Sequence, residues 1–412
     1  MGWLSREMFC PPMENRALIS PKFHGWLMSA GWLAAASRAA AAPDGSTLME
    51  YRVDSYDEAD GRVDVLSHYF DFQHHADTGL SIGLRYVVDS VSGATPVGTY
   101  SPTDPLVWDF VEIEDERRAG TFNLEQKFGD YALGFEFSRS SESDYKSNAL
   151  AIKGSREMFD KNTLVTLGLA YADDDVLAVP GTVLLEDQSK RSFDFSLGLS
   201  QVLNKRTVVD FNLSYGHDWG YLSDPYRQIS QTETFIVDTP IGPFPITDTF
   251  DFPENRPDHR GRAAFRAGVR HYVEPLDGGL SAAFRAFTDS AGIVSETIEL
   301  EYAQQLGDRI ILTPFFRFYN QSAADYYYPS LTGTGILGRD VIDGTPPNYS
   351  SDYRVSAFQS ISYGVGLDLK LNERVGVTFK FERYEMAGRS EGTPSIFFPT
   401  AQVVSAGLKL TF

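Results

Sequence analysis

From Val404 to the end of the chain, apolar and polar side chains take turns. Val404, Ala406, Leu408, Leu410 and Phe412 share one side of an extended backbone, and Ser405, Gly407, Lys409 and Thr411 share the other. The same two-residue period recurs in Tyr131, Leu133, Phe135 and Phe137 against Ala132, Gly134, Glu136 and Ser138, and in Val209, Phe211, Leu213 and Tyr215 against Asp210, Asn212 and Ser214. It returns in Ile361 to Leu369 and in Val375 to Glu382. Each stretch is about ten residues long, the length a tilted strand needs to cross a bilayer with one face to lipid and the other to water.

A soluble sandwich would also alternate, and the connections separate the two readings. Short links (Gln73 to Thr78, Gly129-Asp130, Asn204-Lys205, Gln305 to Asp308, Asn372-Glu373) are interleaved with long ones, about Ser90 to Glu116, Asp173 to Gln188, Gly216 to Arg260 and Gln321 to Asp352. That is the rhythm of a membrane barrel with short periplasmic turns and long extracellular loops. With a first strand near Thr47 to Asp54, the pattern predicts an all-β transmembrane antiparallel barrel of about 16 strands, give or take two, with both termini on the periplasmic side. Trp108, Trp219, Tyr221, Phe235 and Tyr326 to Tyr328 fall near strand ends, where barrels carry interfacial aromatic girdles.

Beyond residue 42 no run of about 18 apolar residues could form a spanning helix. Before it, Arg16 and Lys22 precede the apolar stretch Gly25 to Ala36, and small residues run to Ala42 ahead of Pro43. This layout predicts a secretory signal over 1–42, cleaved near Ala41 or Ala42, with Met13 as the start codon and 43–412 as the barrel. The single cysteine, Cys10, falls in the removed part, so the exported chain has no thiol for a disulfide, a metal, haem or a lipid anchor. Removing 1–42, with four basic and two acidic side chains, takes the formal charge from −20 to −22, which argues against nucleic acid as a partner.

Several groupings have residue types suited to chemistry. His74-His75 with Asp71 and Asp77 has transition-metal ligand types but lacks a convergent third or fourth ligand. Asp54, Asp57, Glu58, Asp60 and Asp64, and separately Asp173-Asp174-Asp175, could bridge divalent ions that cross-link lipopolysaccharide, although neither has calcium-loop spacing and both read as hydrated acidic surface. Gly333 to Gly338 matches a dinucleotide fingerprint in letters without the strand and helix that phosphate binding requires. His68, His217, His259 and His271 could serve an outer-membrane hydrolase, but no G-x-S-x-G elbow accompanies them. These readings assign no catalytic residue, no metal and no cofactor.

The segments Asp60-Gly61-Arg62-Val63, Asp89-Ser90-Val91-Ser92-Gly93-Ala94-Thr95-Pro96, Gln201 to Asn204, Gly220-Tyr221-Leu222-Ser223-Asp224-Pro225-Tyr226-Arg227, Arg256-Pro257-Asp258 and Asn320 to Tyr326 occur in this order. Taken together they resemble a family of bacterial outer-membrane proteins catalogued as domain of unknown function number 3570, over most of the exported chain. The resemblance implies an outer-membrane location. Because family members tend to be encoded beside flavin-attaching and thioredoxin-like proteins, it also implies an exported redox protein as a periplasmic partner.

On the polar faces, Arg85, Asp210, Glu299, Glu301, Arg317, Asp368, Lys380, Glu382 and Lys409 mix both signs and are the candidate pore lining. A barrel of about 16 strands is wide enough for an aqueous channel unless loops fold inward. Three functions fit such a barrel: first a pore or channel for small solutes, then a sheath or docking barrel for a periplasmic partner, and third an outer-membrane hydrolase. The partners expected of all three are outer-membrane lipid, lipopolysaccharide and the barrel-assembly machinery, for which the terminal Phe412 resembles an insertion signal.

Overall fold

The computed structural model describes residues 45–100, 108–240, 242–336 and 347–412, with backbone alone over 93–100, 108–113 and 239. The expected export segment 1–42 lies outside the described residues, as does Gly338. The alternating segments become β1 (Thr47–Glu58), β2 (Val63–His75), β3 (Leu80–Tyr100), β4 (Trp108–Phe128), β5 (Tyr131–Ser141), β6 (Tyr145–Met158), β7 (Thr163–Val176), β8 (Gln188–Asn204) and β9 (Thr207–Gly220). A hairpin follows, β10 (Gln228–Thr239) and β11 (Gly242–Pro253). Then come β12 (His259–Val273), β13 (Gly278–Asp289), β14 (Val294–Leu306), β15 (Ile310–Gln321), β16 (Phe358–Lys370), β17 (Val375–Gly388) and β18 (Thr400–Thr411).

Sixteen of these strands close into one antiparallel barrel, each beside its neighbour in sequence except that β9 pairs with β12 and β1 with β18. At that last seam the Thr47 and Phe412 amides donate to each other's carbonyls, both at 2.9 Å. Every described strand of the wall turns large apolar side chains outward, among them Leu84, Leu133, Leu213, Phe284, Leu300, Phe379 and Val404. Leu213 is 49% exposed and Leu133 59%. A continuous greasy band of this kind would aggregate in water, and closure leaves no strand edge unpaired, so the band requires hydrocarbon around it.

Three of the four long links are shorter than the alternation suggests, because regular pairing runs past the apolar band, while the last one spans 322–357 between β15 and β16. Strands β3 and β4 continue to pair out to Pro96–Phe110 and Tyr100–Trp108, inside the expected Ser90–Glu116 loop. Asp173 to Val176 stay in β7 opposite β8, and Gly216 to Gly220 stay in β9. The expected loop after β9 holds the β10–β11 hairpin, where Thr232 faces Thr249 and Thr234 faces Thr247 with hydroxyls 2.9 Å apart. His74 and His75, expected in a turn, close β2, where their Nδ1 atoms meet the Thr47 and Ser81 hydroxyls at 3.0 and 2.9 Å.

Candidate functional site in the barrel mouth

The pleat that turns leucine and phenylalanine outward turns charge inward, and many of the inward charges pair, most of them across strands. Arg85 donates to Asp71 at 2.6 Å, Arg117 to Asp89 at 2.6 Å, and Lys153 lies 2.6 Å from Glu125. Arg266 binds Asp210 at 2.7 Å and stands 3.7 Å from Glu299, which also faces Arg317 at 3.6 Å. Lys380 holds Glu382 at 2.8 Å and lies 4.4 Å above the Phe315 ring, while Lys409 stands opposite Glu50 in the β1–β18 register. Glu301 and Asp368 share this inner face. All nine candidate pore-lining residues thus fall on the lumen side of their strands, and six of them (Arg85, Asp210, Glu299, Arg317, Lys380 and Glu382) stand in ion pairs rather than in a ring of one sign.

At the end away from the termini, the segments between β9 and β12 and between β15 and β16 fold back over the mouth. The Asp224 side chain caps the turn it starts by accepting the Tyr226 amide at 3.0 Å, as aspartate does in tight turns. Arg354 then binds both Asp224 and Asp352 at 2.6 Å, and Arg256 binds Asp352 at 2.7 Å and Glu254 at 3.1 Å. Glu254 in turn accepts from the Ser350 hydroxyl and the Asp224 amide. Backbone bonds between Asn255 and Tyr349, at 2.9 and 2.8 Å, pin the two segments together. Burial raises the carboxyl of Glu254; it works on Asp352 too, but the guanidiniums of Arg354, Arg227 and Arg256 outweigh it and hold Asp352 well below the usual aspartate value.

Around this network the mouth has an interior of its own. Ile229 and Leu331 are completely buried and pack with Tyr349, and Ala324, Tyr326, Tyr327 and Val355 pack with Ile293. Tyr353 enters the lumen mouth, packing with Phe358, Phe397 and Phe398 and against Tyr319 on the inner wall. The tyrosines at 326 and 327, expected in an interfacial girdle, are therefore core residues of the closing segment. Beside it lies a cavity of about 100 Å³, room for several waters, lined by Asp144, Lys190, Tyr221, Asp224, Arg256 and His259 among others.

The remaining sequence candidates fall apart in space. Asp54 pairs with Arg52 and Glu58 with Arg62, both turned inward, while Asp57 and Asp60 are exposed. Asp174 is buried, accepting from Tyr145 at 2.6 Å, whereas its neighbour Asp173 is exposed and binds Arg191. His217 and His259 stack on each other, His68 bonds Tyr51, and His271 bonds Thr207. Gly333 and Gly335 occupy left-handed turns within the closing segment, not a strand-to-helix junction. The structure adds a group that sequence reading missed: Asp115, Glu142 and Asp144, each with an oxygen within 4.8 Å of the others. The β4–β5 register, which pairs Arg118 with Ser141, brings Asp115 level with the turn that follows β5.

A closed wall with lipid-seeking side chains outside and paired charges inside defines an integral outer-membrane β-barrel. The chain belongs to the family described as Protein of unknown function (DUF3570), which it matches over residues 99–397. Four of the six recognised segments fall in that span, and the Asp60 and Asp89 segments precede it. No curated protein matches the chain. Among solved structures it is similar to CdiB from Acinetobacter baumannii (9% identity, TM-score 0.47, 89% of this chain and 60% of that one). It is also similar to a bacterial polysaccharide outer membrane secretin (9%, 0.47, 90% and 99%) and to the CymD monoaromatic hydrocarbon channel (9%, 0.40, 94% and 92%). The chain spans about 60% of the length of CdiB and 53% of the siderophore receptor PirA from Acinetobacter baumannii.

Proposed function

We propose that the barrel is a channel for small polar solutes whose outer mouth is held shut by the segments between β9 and β12 and between β15 and β16. The observation that carries this reading is how that closure is built. Its two loops are tied to each other by the ion pairs Asp224–Arg354 and Arg256–Asp352, and its contacts with the wall, such as Tyr353 on Tyr319 and Gln321 on Arg354, lie outside the strand ladder, so it can open without breaking the barrel. Below it, the inner face offers charges of both signs along the whole passage, suited to hydrated polar solutes rather than to apolar ones.

Single-channel recording of the refolded chain in a planar bilayer tests the proposal. The expected result is rare or small openings for the natural sequence, frequent larger ones for a chain with residues 322–357 shortened, and a shift toward cation selectivity for Arg317→Ala. Silence of the shortened chain, with its barrel folded, would overturn the channel reading. A docking barrel for a periplasmic protein has one observation behind it: the lumen-facing Gln73, Lys370 and Lys409 are exposed at the terminus-bearing end while the other end is packed. Co-purification of a partner with a silent barrel would favour it.

A further inference from the structure

The turn between β5 and β6 carries more negative charge than its surroundings neutralise. Glu142 is 9% exposed, among the described residues no hydrogen bond or ion pair reaches its carboxylate, and one of its oxygens lies within 4.8 Å of oxygens of Asp115 and Asp144. A buried carboxylate without a partner is costly, and natural structures answer it with a cation or a proton. Arg117, whose charge acts on Glu142, is held by Asp89 at 2.6 Å and does not outweigh the burial of the Glu142 carboxyl. Asp115 accepts from the Ser143 hydroxyl at 3.0 Å, and Asp144 from the Tyr226 hydroxyl at 2.6 Å, which fixes two of the three carboxylates in place.

We infer that Asp115, Glu142 and Asp144 form a binding site for one hard divalent cation of calcium size. Oxygens bound to one Ca²⁺ at about 2.3–2.6 Å lie within roughly 5 Å of one another, and the three carboxylates meet that limit. An all-carboxylate set at the water-exposed end of a barrel suits calcium rather than zinc or copper, which take imidazole or thiolate. Calcium tolerates the irregular geometry of a three-residue turn and fills its remaining positions with water. Since Asp144 also receives the Tyr226 hydroxyl, the ion would tie the wall between β4 and β6 to the mouth segment that begins at Asp224. The site stands whether or not the barrel conducts.

Calcium titration of the refolded full chain in detergent, followed by calorimetry and by thermal melting, tests this. The expected result is one saturable Ca²⁺ per chain that raises the melting temperature. In Glu142→Gln, close in shape to the natural side chain, affinity should fall at least tenfold and the thermal shift should vanish. Asp173→Asn, at an exposed carboxylate already paired with Arg191, should bind as the natural chain does. Absence of saturable binding to the natural chain, or binding unchanged in a folded Glu142→Gln barrel, would overturn the assignment. If Glu142→Gln does not fold, Asp115→Asn takes its place with the same two readouts.

Discussion

Arg256 and Asp352, 96 residues apart, meet at 2.7 Å with side chains only 6% and 0% exposed. The pair joins the two long segments that close the mouth, and both partners are hydrogen-bonded again, Arg256 to Glu254 and Asp352 to Arg354. Removing one member of a buried pair strands its partner's charge, at a cost of about 3–5 kcal/mol. Asp352→Ala should therefore loosen the closing segment while leaving the wall intact. Limited proteolysis should cut between 322 and 357 in the variant before it cuts the natural chain, with no change in barrel migration on unheated gels.

Acid should act on the same network late. Asp352 is held below the ordinary aspartate range, so its contribution is fully present above that range and is lost only as pH falls through its lowered value. Glu254 is raised by burial, so its contribution is present at low pH and weakens as pH rises through its value in the folded chain. Closure should therefore survive mild acid and fail only below about pH 3.8, the usual aspartate value. Protease sensitivity of residues 322–357 as a function of pH would show it, and opening already at pH 5 would contradict it.

The two faces of a strand should respond oppositely to charge. Leu213 points to lipid at the middle of β9, and an arginine near the bilayer midplane costs about 2–4 kcal/mol, so Leu213→Arg should lower the stability of refolding into vesicles by that amount. The neighbouring lumen-facing change Asn212→Lys should cost less than about 1 kcal/mol, its charge reaching water or a wall carboxylate.

Gly220 ends β9 with φ +103°, and a Cβ there would collide with the Ser189 backbone. Its amide donates to Asp258 at 2.9 Å, and the next amide, of Tyr221, donates to Ser189 at 2.9 Å. Gly220→Ala should cost about 1–3 kcal/mol through backbone strain, read as a lower melting temperature. Gly129→Ala, in a left-handed turn with open space around it, should cost less.

Where one face is buried or lipid-facing, a strand declares itself, which is why Val404 to Leu410 and Val209 to Tyr215 could be placed from sequence, and why the strand count followed from the turns between them. Loop architecture has no such period. Tyr326 and Tyr327 look alike as girdle or core residues until Ala291, Ile293 and Val355 are seen around them. The β10–β11 hairpin hid because Pro243, Pro245 and Pro253 read as breakers of a strand, although Phe244, Ile246, Phe250 and Phe252 share one side of it. Asp115 and Asp144 lie 29 positions apart, and only the β4–β5 register brings them together. The Gly220–Arg227 and Arg256–Asp258 segments behind the family resemblance turned out to build the mouth.

The seam between β1 and β18 carries a further consequence, one of kinetics. Nearly every other pairing in the wall is between strands adjacent in sequence and can form as a local hairpin, whereas this one joins Leu48 to Thr411 across the whole chain. Closing so long a loop is entropically the most demanding step of assembly. Until it is taken, the sheet presents two rows of unsatisfied amides and carbonyls that hydrocarbon will not tolerate. Substitutions along this seam, such as Val53→Gly, should therefore slow the arrival of the folded form more than equal changes between β5 and β6.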